Sequence, residues 1–446
     1  MSTDLQRRLG FLDALAIVVG MIIGGGIFVV PNLVARSLDS SSAIVSLWIL
    51  AGVVSFFGAL ACAELGAAIP ATGGQYVFLR EVYGPLGGFL YGWTMFVVGR
   101  TAQVSWLAVA LALYVSYFIP LGPWESKLLG IAVIVVLAAV NYRGVRAGAL
   151  VQKGFTFAKV AGLLIIIGSG LLYRGHAAST TSAAHSSFSL GQFGIAAIAC
   201  LLAYDSWISV SFVAGEIKNP QRNILWSLVF GLAIVMVIYT LTNVAYLHVL
   251  SIPEIAASDH VGASAAERVL GSAGGTLVSA IILLSITGTL NGAFLTSPRI
   301  YFAQARDGLF FRRFGDVHPR FRTPAFSIAA QAVWSIVLLL SGTYESLADY
   351  AMFAIWVSYG LMVLGLMILR RTRPEMQRPY RMWGYPVTPV LFLAVAVWFL
   401  VNTIITRPGP ALAGLTFIGT GIPVYFFWRK SAKPVALAEV ASAQDD

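Results

Sequence analysis

The chain has 446 residues, of which 58% are hydrophobic and only 11% are charged, and its mean hydropathy is +0.82. This composition excludes a water-soluble globular protein and is typical of a protein that crosses a membrane many times. The formal net charge of +10 would suit a nucleic-acid partner, but the basic residues lie mainly in the loops between apolar segments, where they report membrane topology.

Apolar runs near the roughly 20 residues that a helix needs to cross a bilayer recur along the whole chain. The first run lacks a small-residue cleavage site and continues into Pro31 and Asn32, so we interpret it as a retained helix rather than a signal peptide. The predicted spans are residues 13–34, 43–69, 86–118, 128–141, 152–173, 192–213, 224–250, 275–297, 325–341, 346–369, 386–405 and 410–428. The sequence therefore predicts an all-α polytopic membrane protein with twelve transmembrane helices.

Most of the 29 basic residues fall on one side of these spans, and that side also carries both termini. Clusters such as Arg312-Arg313 and Arg370-Arg371 lie there, whereas the loops of the other side hold few basic residues. By the positive-inside rule we expect both termini in the cytoplasm and the protein in the cell (inner) membrane. The basic balance therefore reflects topology, and no nucleic-acid partner is predicted.

The first span is interrupted near its middle by GMIIGGGIFVVP, residues 20–31. Gly24, Gly25 and Gly26 each cost about 1 kcal/mol of helix stability relative to alanine, which a simple membrane anchor would avoid. Such a run lets the helix unwind near the bilayer centre and frees backbone groups for a ligand. The start of the following half-helix would favour a carboxylate. The alternative is that small residues only let two helices approach closely.

The sixth span is interrupted by polar residues, since Asp205 and Ser206 follow an apolar run. An aspartate near the bilayer centre costs roughly 2.5 to 3.5 kcal/mol on insertion scales, so it should face a cavity or a partner. The alternative is a structural hydrogen bond between helices. Interruptions in spans one and six, five spans apart, are the pattern expected of two inverted five-helix repeats with a binding site at the midplane.

Lys159 lies six residues beyond Lys153 in the fifth span, roughly 9 Å deeper in the membrane. Its ammonium can snorkel to the surface along its own stem. Alternatively, it stands where a transporter would otherwise bind a cation, between carbonyls freed in span one and polar groups of span eight, and it could carry a proton. For Arg100 and Glu64, the other intramembrane charges, we expect structural or gating pairs rather than substrate contact.

Four motifs carry a resemblance to a known family. They are GMIIGGGIF at residues 20–28, AELGAAIPATGGQYVFLREVYGP at 63–85, AYDSW at 203–207 with GEIKNPQRN at 215–223, and LNGAFLTSPRIYFAQARDG at 290–308. In this order they resemble the amino acid-polyamine-organocation (APC) superfamily of transporters, and within it the L-amino acid transporter (LAT) branch. The resemblance covers nearly the whole chain. It implies a LeuT-like fold in which spans one to five and six to ten are inverted repeats, helices 1 and 6 are broken, and spans eleven and twelve are peripheral.

The resemblance also implies a substrate site at the two interruptions. Backbone N–H groups of residues 24–26 would hold the substrate carboxylate. Carbonyls near Ile22 and Leu202 would meet the α-ammonium, with Asp205 beside them. Lys159 matches the family's lysine in span five, which implies that no sodium is required. The expected substrate-binding residues are Ile22, Ile23, Gly24, Gly25, Gly26, Leu202, Ala203, Tyr204, Asp205 and Trp356, and the expected coupling residues are Lys159 and Asn291.

The chain departs from the family pattern at three positions. Gly25 stands where the family often has serine, which removes a hydroxyl but keeps the N–H group. Leu202 stands where members often carry an aromatic gate, so gating is expected to use Leu202, Tyr204 or Trp207. Ser206 replaces a common glycine and would narrow the pocket for the substrate side chain.

Cysteine usage narrows the possible partners. Cys62 and Cys200 fall in apolar spans, so we expect no disulfide, and no Cys-His cluster suggests a metal. The resemblance implies that animal light subunits are tied to a glycoprotein through an outer cysteine between spans three and four, where this chain reads IPLGPWESK. We therefore expect no covalent heavy-chain partner, no cofactor, and a monomer or weak homo-oligomer surrounded by membrane lipid.

The leading hypothesis is a sodium-independent amino acid transporter that works by alternating access and exchanges neutral L-amino acids. Two alternatives stay open: a proton-coupled symporter, and a cationic amino acid or polyamine transporter that uses Asp205. A receptor or an enzyme is not favoured, because no loop is long enough for an output domain and no nucleophile lies paired with a base in the spans. The predicted organisation is one transporter domain at 1–430, with repeats at about 11–173 and 191–370, peripheral helices at 386–428 and a disordered cytoplasmic tail at 431–446.

Overall fold

The computed structural model describes residues 5–116, 118–175, 190–342 and 344–431. Within these residues the backbone is almost entirely helical, and the extended pairing it contains is an isolated parallel bridge between Leu9 and Ile217. Apart from its first residue, the tail predicted to be disordered lies outside the described residues.

Seven helices form the first half of the chain. They are α1 (Phe11–Ile22), α2 (Gly26–Ser37), α3 (Ser41–Ala68), α4 (Gln75–Thr94), α5 (Arg100–Val115), α6 (Pro123–Tyr142) and α7 (Val145–Leu172). A π-helical turn at Met95–Gly99 joins α4 to α5. Helices α1 and α2 together make the first predicted span, and the three residues between them are not helical.

The described part of the second half is built from longer helices separated by short ones. They are α8 (Leu190–Ala203), α9 (Ser209–Phe212), α10 (Pro220–Val249), α11 (Ile252–Ala257), α12 (Val261–Leu270), α13 (Ser272–Thr296), α14 (Pro298–Arg306), α15 (Ala325–Ser341), α16 (Tyr344–Thr372), α17 (Val387–Thr406) and α18 (Pro408–Ser431). Helices α8 and α9 together make the sixth predicted span, which is broken between them.

The lengths and surfaces of these helices confirm the prediction of an all-α polytopic membrane protein. Among the described residues, ten helical stretches are long and apolar enough to cross a bilayer, and α8 and α15 are shorter apolar helices. These stretches correspond to the twelve predicted spans. Large apolar side chains such as Val136 on α6, Phe157 on α7 and Ile405 on α17 are more than half exposed, as is expected for surfaces that face lipid.

The two broken spans lie at the centre of the helix assembly. Helix α1 packs against α7, α10 and α13, while α2 packs against α8. Helix α5 contacts α13, α15 and α16, whereas α17 and α18 pack on α3, α4 and α16 from outside. The unwound residues of both broken spans are therefore surrounded by other helices, where their backbone groups can bond to protein or to a ligand instead of facing lipid.

Helices α11 and α12 cover the far end of α2. The Asn32 side-chain amide donates to the carbonyls of Ile255 at 3.2 Å, Ala256 at 3.0 Å and Ser258 at 2.6 Å. The Arg36 guanidinium donates to the Ala256 carbonyl at 2.9 Å. The segment from α11 to α12 is thus attached to the half-helix that follows the glycine interruption. We call the face of the protein that carries α11 and α12 the open face.

Candidate functional site

The interruption in span one exposes backbone groups because its residues leave the helix. After α1 ends at Ile22, the Gly24 N–H donates back to the Ile22 carbonyl at 2.8 Å, and that carbonyl also accepts the Tyr239 hydroxyl at 2.9 Å. Helix α2 begins at Gly26 with Gly25 as its cap. The first N–H groups of a helix have no partner within it and carry partial positive charge. The start of α2 can therefore accept an anionic group.

The interruption in span six is held by its own side chains. Ser206 has φ of 76°, in the left-handed region that a residue with a side chain rarely adopts. The Ser206 hydroxyl donates to Asp205 Oδ2 at 2.9 Å and accepts the Gln103 side-chain amide at 2.9 Å. Asp205 Oδ1 accepts the Tyr359 hydroxyl at 2.8 Å. Both carboxylate oxygens of Asp205 are thus hydrogen-bonded within the protein.

A cavity of about 350 Å³ lies between the two interruptions and extends toward the open face. Its walls are mainly apolar, with a few polar groups at its base, which is the usual character of a site for a small molecule. Among the expected site residues, those lining it are Ile22, Gly24, Gly25, Gly26, Leu202, Ala203 and Asp205. Nearer the open face, the ring of Tyr114 lies 5.4 Å from the ring of His260. These two rings flank the route into the cavity.

Lys159 is fully buried and its ammonium lies beside the unwound part of span one. Nζ donates to the carbonyls of Gly20 at 2.8 Å and Ile23 at 2.6 Å. It also donates to the Ser285 carbonyl at 3.0 Å and lies 3.3 Å from the Thr289 hydroxyl. The ammonium thus bridges span one and α13 through four oxygen atoms instead of reaching the surface. Oxygen cages of this kind are what hard cations bind.

Thr289 links this ammonium to the cavity. Its hydroxyl is within hydrogen-bonding distance of Lys159 Nζ, and the residue also lines the cavity wall. Ser285, one turn earlier on α13, donates to the carbonyls of Ile23 at 3.1 Å and Gly24 at 3.0 Å. A ligand that moves the backbone of Gly24 would therefore act on the ammonium through the adjoining Ile23 carbonyl and through Ser285.

Several residues expected at the site lie elsewhere. The Tyr204 ring packs between Trp48 and Tyr239, with centroid distances of 6.0 and 5.0 Å. The Trp207 ring stacks on Tyr359 at 4.8 Å. Neither ring lines the cavity, whereas Leu202, the third gating candidate, does.

The expectation that Trp356 lines the cavity needs correction. Its ring stacks on Phe399 at 4.4 Å and on Phe392 at 6.0 Å, so it points toward α17. Met352, one turn nearer the open face on α16, lines the cavity in its place. The indole ring packs on two phenylalanines outside the cavity, and the flexible methionine fills the wall.

Ile23 and Asn291 also lie outside the cavity lining. The Ile23 carbonyl is turned toward Lys159, so it is positioned for the ammonium rather than for a ligand. The Asn291 amide donates to the Gly148 carbonyl at 3.1 Å and to Gln152 Oε1 at 2.9 Å, and Asn291 Oδ1 accepts from Asn141 at 2.9 Å. Asn291 therefore ties α13 to α6 and α7.

Sequence reasoning missed the contribution of α5 to the cavity. Gln103 and Trp106 line it from this helix, and Ile286 lines it from α13. Gln103 is an isolated amide in an apolar span, and this could have signalled a buried polar contact. Among the described residues, no group of three His, Cys, Asp or Glu side chains lies close enough to hold a metal.

The end of the molecule opposite the cavity mouth is closed by ion pairs. Arg299 Nε lies 2.7 Å from Glu216 Oε1, and both side chains are buried. Glu64 accepts from Arg370 Nε at 2.9 Å, and Arg80 pairs with Asp307. We call this end the charged face. Because these residues come from α3, α4, α14, α16 and the segment after α9, a path to this side requires several of the pairs to separate.

At the open face a further ion pair joins α11 to α12. Arg268 Nη2 lies 2.6 Å from Glu254 Oε1, and each side chain is about 40% exposed. The Arg268 guanidinium, together with the Ser251 N–H and hydroxyl, lowers the pKa of Glu254 to about 2. The carboxylate therefore stays ionised at any ordinary pH, and the pair holds the two short helices together.

Comparison with known proteins agrees with this geometry. The family described as "Amino acid permease" matches residues 9–427 of the chain. The chain is 36% identical over 430 residues to the serine/threonine exchanger SteT of Bacillus subtilis, covering 96% of this chain and 98% of that protein.

Two human proteins are also similar over nearly the whole chain. The b(0,+)-type amino acid transporter 1 is 32% identical over 469 residues, covering 100% of this chain and 95% of the relative. The Asc-type amino acid transporter 1 is 30% identical over 446 residues, covering 97% and 84% respectively. The similarity spans both interrupted helices and the cavity between them.

Proposed function

Because the chain belongs to the amino acid permease family, we propose that it exchanges neutral L-amino acids across the cell membrane by alternating access, without sodium. The chain is a multi-pass membrane transporter of amino acids and not an enzyme. The observation that carries the finer proposal is the Lys159 ammonium, which fills an oxygen cage between the unwound part of span one and α13. A fixed side chain there performs the bridging that a bound cation would otherwise perform.

The substrate carboxylate is proposed to bind the N–H groups of Gly25 and Gly26 at the start of α2. Its α-ammonium would approach the carbonyls of Leu202 and Ala203, at the end of α8. This orientation places the positive and negative ends of the amino acid against helix termini of opposite partial charge. The substrate side chain would then extend toward the apolar wall formed by Trp106 and its neighbours on α5 and α13.

The substrate class is proposed to be small neutral amino acids, serine and threonine first. The Bacillus relative is named a serine/threonine exchanger, and the Gln103 amide, which keeps a second N–H besides the one donated to Ser206, lines the cavity and can donate to a substrate hydroxyl. Asp205 is proposed to position the break in span six, because Tyr359 and Ser206 donate to its two carboxylate oxygens.

The organisation proposed for the transport cycle is a pair of inverted repeats at about 11–173 and 191–370 with peripheral helices at 386–428. The excess of basic residues at the charged face supports a cytoplasmic location for that face and for both termini in the inner membrane. The cavity then faces outward in this conformation. We further propose that the chain works without a covalent heavy chain, as a monomer or weak homo-oligomer, because Cys62 and Cys200 are buried.

Exchange is distinguished from symport by counterflow. Purified protein in sodium-free proteoliposomes would be given labelled L-serine, L-leucine or L-arginine outside, with the lumen either empty or preloaded with unlabelled L-serine. An exchanger takes up label only into preloaded vesicles, and we expect serine to compete better than arginine. The same assay repeated with 100 mM sodium should give the same rates.

Uptake into empty vesicles driven by an inward proton gradient would contradict exchange and favour the symporter. Preferential uptake of arginine would contradict the neutral substrate class. A requirement for sodium would remove the role proposed for Lys159, because the cage would then have to bind the ion.

A further inference from the structure

Arg100 is a buried cation beneath the substrate cavity, and the proposed substrate site makes no use of it. The residue is 1% exposed and lies one turn before Gln103 on α5, a helix that runs toward the open face. Its Cζ lies 5.2 Å from the centre of the Phe212 ring, and Nε and Nη2 make no hydrogen bond with the described residues. A charge is costly inside a membrane protein, so a buried arginine calls for a functional explanation.

The backbone that carries Arg100 is fixed by side chains around the preceding π-helical turn. The Thr101 hydroxyl donates to the Phe96 carbonyl at 2.6 Å, and the Trp334 indole N–H donates to the Val97 carbonyl at 2.8 Å. Single π-helical turns inside longer helices occur frequently at functional sites. The position of Arg100 at the end of this turn is therefore an organised part of the fold.

A chain of hydrogen bonds joins Arg100 to Asp205 across the base of the cavity. Arg100 Nη1 donates to Gln103 Oε1 at 2.9 Å, and this bond fixes the orientation of the amide because a guanidinium can only donate. The Gln103 amide donates to the Ser206 hydroxyl at 2.9 Å, which donates to Asp205 Oδ2 at 2.9 Å. Since the chain runs in one direction from a cation to an anion, each bond polarises the next.

Asp205 is the carboxylate that lies within electrostatic range of the Arg100 guanidinium, and the other groups acting on it are the hydroxyls of Tyr91 and Tyr359. A tyrosine hydroxyl is uncharged at ordinary pH. Asp205 in turn accepts from two neutral hydroxyls, those of Tyr359 and Ser206. The two buried charges thus face each other through neutral groups. Because Asp205 lines the cavity, a ligand there lies in the field of both charges.

A single fixed charge beside an apolar cavity selects ligands of the opposite charge. Asp205 alone would favour a cationic side chain, and Arg100 alone would favour an anionic one. With both charges present, either kind of side chain is attracted by one group and repelled by the other. Resting on the proposed transport of amino acids, we propose that Arg100 is a specificity-determining residue. Its charge offsets that of Asp205, so the cavity selects amino acids with uncharged side chains.

The proposal is tested by ligand-dependent thermal stability of the purified full chain in detergent, titrated with L-serine, L-arginine or L-glutamate. Binding to the folded state raises the unfolding temperature with ligand concentration, so the ratios of apparent affinities are measured without transport. Arg100→Gln should raise the affinity for arginine relative to serine at least about tenfold, because Asp205 is no longer offset. Asp205→Asn should raise the affinity for glutamate relative to serine by a similar factor.

Two further variants separate charge from structure. Arg100→Lys keeps the charge and should leave both ratios within about threefold of the unchanged protein. The double variant Arg100→Gln/Asp205→Asn removes both charges and should restore the preference for serine. The matched control is Arg312→Gln, which removes the same charge from an exposed position outside the cavity and should shift the ratios by less than about twofold. The Lys159 ammonium is the same in every variant.

Equal weakening of serine and arginine binding in Arg100→Gln, or a double variant that keeps the altered preference, would overturn the role of Arg100. If Arg100→Gln does not fold, Asp205→Asn carries the test, and an unshifted glutamate ratio in that variant would also overturn it. Absence of stabilisation of the unchanged protein by any of the three amino acids would overturn the proposed function together with this inference. A normal serine response with unshifted ratios would overturn the inference alone.

Discussion

The two interrupted spans reach similar shapes by opposite means. In span one the interruption consists of glycine, and the groups that stabilise it belong to other helices: Lys159, Ser285 and Tyr239 donate to its carbonyls. In span six the interruption carries side chains, and Asp205 and Ser206 bond to each other and to neighbouring helices. The first break leaves the N–H groups of Gly25 and Gly26 available for a ligand, whereas the side chains of the second break are bonded to one another and to α5 and α16.

This difference suggests a different role for each of the two breaks. A glycine break without side chains can change conformation at little steric cost, so it suits the part of the cavity that must respond to the substrate. The break in span six includes a serine at φ of 76°, held by hydrogen bonds from α5 and α16. These bonds restrain the break, so in the proposed site it would form the less mobile wall.

The largest expected effect comes from removing the support of the glycine break. Lys159→Met removes the charged donor that three carbonyls and a hydroxyl share, and a hydrogen bond to a charged group is worth about 1.5–3 kcal/mol. We expect exchange in proteoliposomes to fall more than about 100-fold. Lys153→Met is the matched control, because Lys153 is 43% exposed and pairs with Asp13 at 2.9 Å outside the cavity. Full exchange by Lys159→Met would show that the glycine break in span one keeps its conformation without the Lys159 ammonium.

A smaller effect should follow from adding one methyl group to the glycine break. A Cβ on Gly26 would lie 3.1 Å from Ala203 Cα, whereas one on Gly25 would make ordinary contacts of 3.6 Å or more with Ile286. Overpacking of this kind typically costs about 1–3 kcal/mol, so Gly26→Ala should slow exchange about tenfold. Gly25→Ala should stay within about twofold. If the two variants behave alike, close approach of the two breaks is not required.

The rigidity of the span six break can be reduced by removing one hydroxyl. Tyr359→Phe takes the donor from Asp205 Oδ1, and a loss of about 1 kcal/mol predicts about a fivefold fall in serine exchange. The freed carboxylate should also raise inhibition by arginine. Tyr301→Phe removes a similarly buried hydroxyl, which donates to the Met95 carbonyl at 3.2 Å, and serves as the control. No difference between the two variants would mean that Asp205 does not organise the site.

The smallest effect is expected outside both breaks, at the pair between α11 and α12. Because the pKa of Glu254 is lowered to about 2 from its usual 4.5, the pair with Arg268 contributes its full stabilisation of the folded state above pH 4.5. It is lost only as the pH falls toward 2. Glu254→Gln should lower stability by less than about 1 kcal/mol because exposed pairs are screened. The free energy of unfolding of the unchanged protein and of Glu254→Gln, measured between pH 8 and 5, should differ by a constant amount. A difference that shrinks within that range would contradict the low pKa of Glu254.

The interrupted spans were predictable because their residues are costly where they occur. Three glycines or an aspartate in the middle of a membrane helix demand a compensating interaction, and the positions of Gly24 and Asp205 in the structure agree with that reading. The depth of Lys159 in the membrane could also be predicted, because it lies six residues beyond Lys153 in the sequence. The identity of its four oxygen partners required the packing of α1, α7 and α13.

The side-chain composition of the cavity was less accessible to sequence reasoning. Trp356 and Met352 lie on the same helix one turn apart, and only the position of α17 decides that the tryptophan ring leaves the cavity. Tyr204 packs against Trp48 and Tyr239, and Trp207 stacks on Tyr359. These contacts, like the φ of 76° at Ser206 between them, depend on neighbouring helices and could not be predicted from the residue pattern. Gln103 was missed because a single amide in an apolar span has no periodic signal.

The role proposed for Lys159 would have an energetic consequence for the cell. When the cation that bridges span one and α13 is a side chain of the carrier, it stays with the protein in every turn of the cycle. Swapping one zwitterion for another then moves no net charge, so the membrane potential does no work on the exchange. The ratio of the two amino acids inside would simply come to match the ratio outside, whatever the voltage or the sodium gradient.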